Sequence, residues 1–233
     1  MTAGTPVILN EEKNRMNRLI ACIALLALAL TSAACANPAA NASKAVTSEA
    51  TSRPKPAANG AAEERLLVTN ENSRIEFVGS KVTGSEGGRF EKFSGAVYLV
   101  EAAPEKSRVE IVIDMNSVAT DSGGLAEHLK TADFFDAPKF PKATFATTDI
   151  RPGGEKGATH TVTGNLDLHG VKKAVTFPAT IKVDAAAAAL DAEFAINRKD
   201  FGITYAGRTN DLIRDEVVIK LHVRAPRADR SSR

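Results

Sequence analysis

Tryptophan is absent from this chain and tyrosine occurs twice, so ten phenylalanines supply most of the aromatic surface. Aromatic residues account for only 5% of the sequence. A phenylalanine ring carries no polar group, whereas tyrosine and tryptophan each present one to a hydrogen-bonding partner. The composition therefore favours an apolar interior over a groove for a polar ligand.

Cysteine is nearly as scarce, and both cysteines, Cys22 and Cys35, lie in the first 36 residues. The rest of the chain can form neither a disulfide nor a cysteine-based metal site. The sequence also lacks the Gly-x-Ser-x-Gly elbow of hydrolases, the glycine-rich phosphate loop and the His-Glu-x-x-His zinc motif. These absences argue against an enzyme and against a bound cofactor or metal.

Neither sign of charge is in excess. The chain has 30 Lys plus Arg and 28 Asp plus Glu, of which three and two respectively precede residue 37, leaving 27 against 26. A domain that binds nucleic acid usually carries a marked positive excess. We therefore expect no nucleic-acid partner.

Residues 16–36 have the three parts of a secretory signal peptide. The basic head Met16-Asn17-Arg18 is followed by an apolar run over residues 19–30 and by small residues over 31–36. The run is shorter than the roughly 20 residues of a membrane-spanning helix. We expect residues 1–36 to direct export to the periplasm, with Met16 as an alternative start.

The cleavage site has two interpretations. Ser32-Ala33-Ala34-Cys35 resembles a bacterial lipobox, which would place a lipid anchor on Cys35 and attach the protein to the outer membrane. Ordinary signal peptidase could instead cut after Ala34 or Ala36, since both sites satisfy the small-x-small rule. In either case the membrane is a partner only through the anchor.

The mature chain divides by composition. Residues 37–64 are rich in Ala, Pro, Ser, Thr and Asn, and they predict a disordered linker because they have little apolar surface to bury. Residues 65–226 alternate apolar and polar positions and predict a single all-β domain. Residues 227–233 predict a flexible tail.

The alternation predicts nine strands, one short helix and several loops. The strands are expected at residues 66–69, 74–81, 93–100, 108–115, 144–150, 161–168, 171–183, 190–197 and 216–224. A helix is expected over residues 125–130, capped by Ser122. His169-Gly170 predicts a two-residue hairpin turn, and composition predicts loops at residues 84–88 and 185–189.

Residues 128–145 interrupt this pattern with four phenylalanines, and Pro138 and Pro141 forbid a continuing helix there. We expect a helical turn followed by a rigid apolar elbow that closes one end of the domain.

These residues also resemble the signature of the YceI-like family, the polyisoprenoid-binding bacterial domains. The matching sequence is His-Leu-Lys-x-x-Asp-Phe-Phe-Asp-x-x-Lys-Phe-Pro-x-Ala-Thr-Phe. Residues 88–95, 164–173 and 196–203 match further family motifs in the same order, so the resemblance covers roughly residues 66–225. It implies a lipocalin-like antiparallel β-barrel of about eight strands, which can enclose one small ligand, and no catalytic activity.

We expect the ligand to be an isoprenoid or quinone-like lipid, lined by phenylalanines and by inward-facing residues of two strands. Ordinary core packing is the alternative for each of them. The candidates are Phe77, Phe90, Phe93, Phe134, Phe135, Phe140, Phe145, Phe177, Phe194 and Phe201, together with Ala179, Ile181 and Ile196.

Arg198 continues the inward face of Phe194 and Ile196, so it is a candidate to hold a lipid head group. The alternative is an ion pair with Asp200, Asp211 or Asp215. The leading hypothesis is thus a lipid-binding or lipid-carrying barrel of the cell envelope. The rival is a ligand-free structural or stress-response protein that acts through its surface, and homodimerisation is left open.

Overall fold

The computed structural model describes residues 37–52 and 62–227. The predicted signal peptide, Cys35 and most of the predicted tail lie outside these residues. The described strands are β1 Ser43–Lys44, β2 Val46–Glu49, β3 Glu63–Thr69, β4 Arg74–Lys81, β5 Gly84–Phe90, β6 Phe93–Val100, β7 Ala103–Asp114, β8 Val118–Thr120, β9 Lys142–Pro152, β10 His160–Leu168, β11 Val171–Val183, β12 Ala187–Asn197, β13 Gly207–Arg208, β14 Asp211–Leu212 and β15 Glu216–Pro226.

The helical elements of the described chain are short. Helix α1 spans Leu125–Lys130, and four 3-10 turns lie at Pro38–Ala40, Met115–Ser117, Glu155–Gly157 and Arg198–Phe201. No helix in the described ranges combines the length and the apolarity that crossing a membrane requires.

One strongly curled sheet holds nearly all the strands. Its path runs β3-β6-β7-β9-β10-β11-β12-β15-β4-β5-β8, and each pair along it is antiparallel. The curl returns β3 to the side of β15, where the Arg227 guanidinium donates to Glu64 Oε2 at 2.6 Å and the backbone N–H of Arg224 donates to Ser73 Oγ at 3.0 Å. The predicted all-β antiparallel fold with one short helix is confirmed.

The strands curl around a common interior because their apolar residues alternate. In β7, Val109, Ile111 and Ile113 face inward while Glu110 is on the opposite face. The same period of two puts Val217 and Ile219 of β15 on the inner face. A sheet with one apolar face and one wet face hides the apolar face by curling around it.

The elbow closes one end of this interior, as expected. Its backbone is held to α1 by hydrogen bonds from Phe135 N–H to Leu129 O (3.0 Å) and from Ala137 N–H to Lys130 O (2.9 Å). Within the elbow, the side chains of Phe134 and Ala137 are buried. The two prolines thus leave a compact turn instead of a longer helix.

Two loops predicted from composition are wrong. Residues 84–88 form most of β5, which pairs with β4 in spite of three glycines. Residues 187–189 begin β12 and pair with Ala225 and its neighbours in β15. In both cases the neighbouring strand supplies backbone partners that local composition does not reveal.

The predicted helix cap is also wrong. Gly124 occupies the N-cap of α1 with φ of 78°, and no side chain bonds the first turn. The Ser122 hydroxyl instead hydrogen bonds with the Glu86 carboxylate.

The predicted linker is ordered over its first part. Residues 43–49 form β1, which pairs with β12, and β2, which pairs with β11. Thr51 exchanges two hydrogen bonds with the side-chain amide of Asn165, at 3.0 and 2.7 Å. Strand pairing and small buried residues such as Ala39 replace the large apolar side chains that the prediction required.

The β10–β11 turn tests how tightly the elbow is packed. His169 and Gly170 have φ of 55° and 74°, as in a type I′ turn, and a Cβ on Gly170 would come within 2.4 Å of the Phe140 ring. We expect Gly170→Ala to lower the free energy of unfolding by about 1–2 kcal/mol for the left-handed backbone, plus a further loss from the displaced ring. Chemical denaturation measures both.

Gly153→Ala is the matched control, because Gly153 has φ of 85° and open space around its Cβ position. It should show the backbone loss alone. Equal losses in the two variants would mean that Phe140 moves without cost and does not fix the elbow.

Candidate functional site

An internal cavity of about 260 Å³ runs along the inside of the curled sheet. Its lining extends from Leu129 and Ile203, beside α1, to Val183 and Ala189, beside the β11–β12 turn. From Val175 to Val183, β11 alone lines about 27 Å of it at roughly 3.4 Å per residue. The cavity is therefore long and narrow.

The cavity wall exposes only apolar atoms of the described residues. Polar side chains of the lining turn their polar atoms into the wall. The Ser107 hydroxyl donates to Ala103 O at 2.6 Å and accepts from Val100 N–H at 3.0 Å. Thr147 Oγ1 accepts from Val109 N–H at 2.8 Å, next to the point where β7 and β9 stop pairing. Their bonds are satisfied without a ligand or water.

Two groups of aromatic rings stand in the cavity. Near the helix, the ring centroids of Phe77, Phe90 and Phe135 are 5.7–6.3 Å apart. Midway along the sheet, Phe177 and Phe194 stack with centroids 4.1 Å apart and planes 11° from parallel. Rings at these distances attract one another beyond their buried area, so the wall is preformed.

Most predicted ligand-lining residues do reach the cavity, while four do not. Those that line it are Phe77, Phe90, Phe134, Phe135, Phe145, Phe177, Ile181, Phe194, Ile196 and Arg198. Phe93, Ala179 and Phe201 are instead packed in the core around it. Phe140 lies outside, with its ring 4.9 Å from that of His169. Whether the lining residues bind a ligand stays a prediction.

The sequence analysis missed much of the aliphatic lining. Val97, Leu99, Met115, Leu166 and Val223 also line the cavity, and Gly79 belongs to the lining as well. The signal for most of them was present, because alternation already assigned strand residues such as these to the inner face. The predicted set instead favoured phenylalanines, with Ala179, Ile181, Ile196 and Arg198 as its other members.

Arg198 does not present its guanidinium to the cavity. The side chain is 4% exposed and donates to three backbone carbonyls, from Nε to Arg214 O (3.1 Å), from Nη1 to Ile203 O (2.8 Å) and from Nη2 to Ile213 O (3.4 Å). Nη2 also lies 3.5 Å from Asp215 Oδ1. Burial lowers the pKa of the guanidinium, and the Asp215 carboxylate opposes that shift. The surroundings of Arg198 therefore match the alternative prediction of an ion pair, with Asp215 as the carboxylate.

The histidines of the motifs have structural partners. His128 Nε2 lies 2.9 Å from Asp133 Oδ2 on the surface, and His169 Nδ1 lies 3.1 Å from Phe201 O. Among the residues that the structure describes, no group of three or more His, Cys, Asp or Glu side chains could hold a metal ion.

Comparison with known proteins gives the family. The model of the YceI-like domain matches residues 67–225. The chain belongs to the YceI-like family. A UPF0312 protein of Pseudomonas putida strain W619 is 35% identical over 132 residues, which cover 54% of this chain and 68% of the relative. Protein YceI of Salmonella arizonae is 36% identical over 123 residues, which cover 50% and 63%.

Solved structures match the YceI-like fold. BcnA of Burkholderia cenocepacia has 29% sequence identity and a TM-score of 0.61, over 68% of this chain and 99% of BcnA. A Saccharophagus degradans domain described as polyisoprenoid binding and implicated in plant cell wall breakdown has 19% identity and a TM-score of 0.54, over 70% and 99%. At that identity the second match supports the fold alone.

The contacts of Arg198 predict a structural role. Arg198→Ala leaves three carbonyls without their donor, that of the buried Ile203 among them, so we expect the free energy of unfolding to fall by about 3 kcal/mol. Binding of geranylgeraniol and of geranylgeranyl diphosphate should change by the same factor, since no head group touches the guanidinium. Denaturation and parallel binding titrations test both points.

Lys199→Ala serves as the control, because Lys199 pairs with the same Asp215 at 2.9 Å but is half exposed, and it should cost less than about 1 kcal/mol. An Arg198→Ala protein of normal stability that selectively loses the diphosphate would instead establish head-group binding.

Proposed function

We propose that the chain holds one long apolar lipid, of the isoprenoid or quinone-like class, inside the cavity and sequesters or carries it in the cell envelope. The observation that supports this most directly is the long cavity whose wall exposes only apolar atoms. A polar metabolite would find no partner on such a wall, and its desolvation would go uncompensated.

Apolar burial alone is enough for tight binding of such a lipid. Each methylene removed from water contributes about 0.8 kcal/mol, so an isoprenoid chain needs no polar contact to the wall. The width and length of the cavity then select the ligand by shape. Binding is favoured over catalysis because the described lining offers no free acid, base or nucleophile to a bound chain.

Family membership supports the same class of ligand. The Saccharophagus degradans domain of similar fold is described as polyisoprenoid binding. This chain has a curled antiparallel sheet of similar fold, and its cavity lining exposes only apolar atoms.

Export and anchoring are supported by sequence alone. The basic head, the apolar run and the small residues before Cys35 are typical of a signal peptide that precedes a lipid-modified cysteine.

A variant whose side chain fills the cavity tests ligand binding separately from the stability of the fold. Gly79 lines the cavity, and a Cβ built there meets nothing within 4 Å. Gly79→Phe should therefore keep the stability of the protein or raise it by about 0.5–2 kcal/mol, while binding of geranylgeraniol falls at least tenfold. Native mass spectrometry of the delipidated protein, incubated with that alcohol, gives the bound fraction.

Gly87→Phe is the matched control. Gly87 lies on the paired strand β5, is exposed, and likewise has open space at its Cβ position. It should bind geranylgeraniol as the wild type does. Equal binding by the two variants, or a wild type that takes up no isoprenoid, would contradict the proposed function.

Anchoring is tested by fractionating cells. With Cys35 acylated, the wild type should sediment with the outer membrane, and Cys35→Ser should release it into the soluble periplasm because the acyl chains are gone. Recovery of the wild type in the soluble fraction with Asn37 as its first residue would exclude the lipoprotein form but leave export intact.

A further inference from the structure

Strands β11 and β12 do not stay paired along their lengths. They pair over Thr180–Val183 and Ala188–Asp191. Beyond that point β11 pairs with β2 at residues 173–176, and β12 pairs with β1 at residues 194–195. The two strands thus form a fork, and residues 43–49 of the segment 37–52, here called the strap, lie in it.

The strand directions are those of a segment that lies between β11 and β12. Because β11 and β12 are antiparallel to each other, a strand between them must be parallel to one and antiparallel to the other. The strap runs antiparallel to β11 and parallel to β12. Ala45 N–H of the strap donates to Ala195 O of β12 at 2.8 Å, on one side of the fork. The strap lies outside residues 67–225, which match the YceI-like family.

The fork lies directly over the cavity. Val175 and Phe177 of β11 and Phe194 and Ile196 of β12 flank the fork and line the cavity. Ala45 of the strap packs against this same part of the core. The far end of the fork is closed by the contact between His169 and the carbonyl of Phe201. The strap therefore covers a window in the side of the cavity.

The strap is held more lightly than the strands beside it. Strands β12 and β15 pair along their whole lengths, whereas β1 and β2 have two and four residues. Its ion pairs, Lys173 with Glu49 and Lys44 with Glu216, are on the surface and add little. A second depression of about 240 Å³ is lined by residues 41–43 of the strap, Ala179 and Glu193, although Ala39 at the start of the strap is buried against Ala195 and Val218.

We propose that the fork between β11 and β12 is the portal through which the apolar ligand enters the cavity, and that the strap is its gate. The stacked rings of Phe177 and Phe194, together with Val175 and Ile196, line the cavity beneath this fork. This inference rests on the proposed function, since it assigns the route of the same ligand. In the sequence the strap begins two residues after Cys35, the cysteine that would carry an acyl anchor.

A disulfide between the strap and β11 locks the gate. Val46 and Thr176 are direct antiparallel partners on the outer face, and such pairs have Cα atoms about 4.5–5.5 Å apart, within disulfide range. Val46→Cys with Thr176→Cys is made in a chain in which Cys22→Ser and Cys35→Ser leave only the introduced thiols. Timed native mass spectrometry should show uptake of geranylgeraniol at least tenfold slower when oxidised and normal when reduced.

The control shares one of the cysteines. Thr163→Cys with Thr176→Cys joins β10 to β11 and leaves the strap free. The hydroxyls of Thr163 and Thr176 already lie 2.9 Å apart in the native protein. Its uptake should not depend on oxidation. Normal binding with equal uptake rates for the locked and control proteins would overturn the portal and leave the proposed function standing. No binding by any form would overturn both.

Asn165→Ala tests the gate without a crosslink. It removes both hydrogen bonds to Thr51 and should raise the uptake rate severalfold. An unchanged uptake rate in this variant would count against the strap as the gate, whether or not the disulfide forms.

Discussion

The structure depends on keeping polar atoms off the inner face of a curled sheet. An unpaired polar group there would cost on the order of 1–3 kcal/mol, and a water held to satisfy it would compete with an apolar ligand. The polar side chains at this face meet the constraint through the wall itself. Thr147 Oγ1 accepts a hydrogen bond from the backbone of β7 where β7 and β9 separate. Arg198 donates hydrogen bonds to three backbone carbonyls. The cavity wall therefore exposes only apolar atoms of the described residues.

Aromatic rings and glycines set the shape of that cavity together. A Cβ on Gly88 would come within 2.3 Å of the Phe77 ring, and one on Gly164 within 2.3 Å of the Phe145 ring. Each glycine leaves room for a ring to lie close to the backbone of the neighbouring strand. In a close-packed core, side chains would fill the whole interior. Here the interior keeps open space along the sheet.

The strap precedes residues 67–225, which match the family, and pairs with two of their strands. Its strands complete the hydrogen bonding of a fork that β11 and β12 leave between them. Edge strands with free N–H and C=O groups invite pairing with another chain, so the strap also shields the fork from unwanted partners. Stability and access to the cavity are therefore coupled at one place, where a few backbone hydrogen bonds serve both.

The sequence by itself determined the inner face of the sheet and the elbow. Alternation placed Val109, Ile111 and Ile113 inward, and the His169-Gly170 pair set the register of the β10–β11 hairpin, since the side-chain period of a strand is two and a primed turn allows one pairing. Strands β4, β6 and β11 and helix α1 have the bounds that the pattern predicted. Local chemistry decides these features.

Only the tertiary structure decided which inward residues pack together and which face open space. Ala179 and Ile181 share one face of β11, yet Ala179 is packed in the core and Ile181 lines the cavity. Arg198 follows the inward period but turns to carbonyls that come from residues 203–214 along the chain. Residues 43–49 are strands because β11 and β12 diverge beside them. Each outcome depends on partners distant in sequence, and a local pattern carries no information about them.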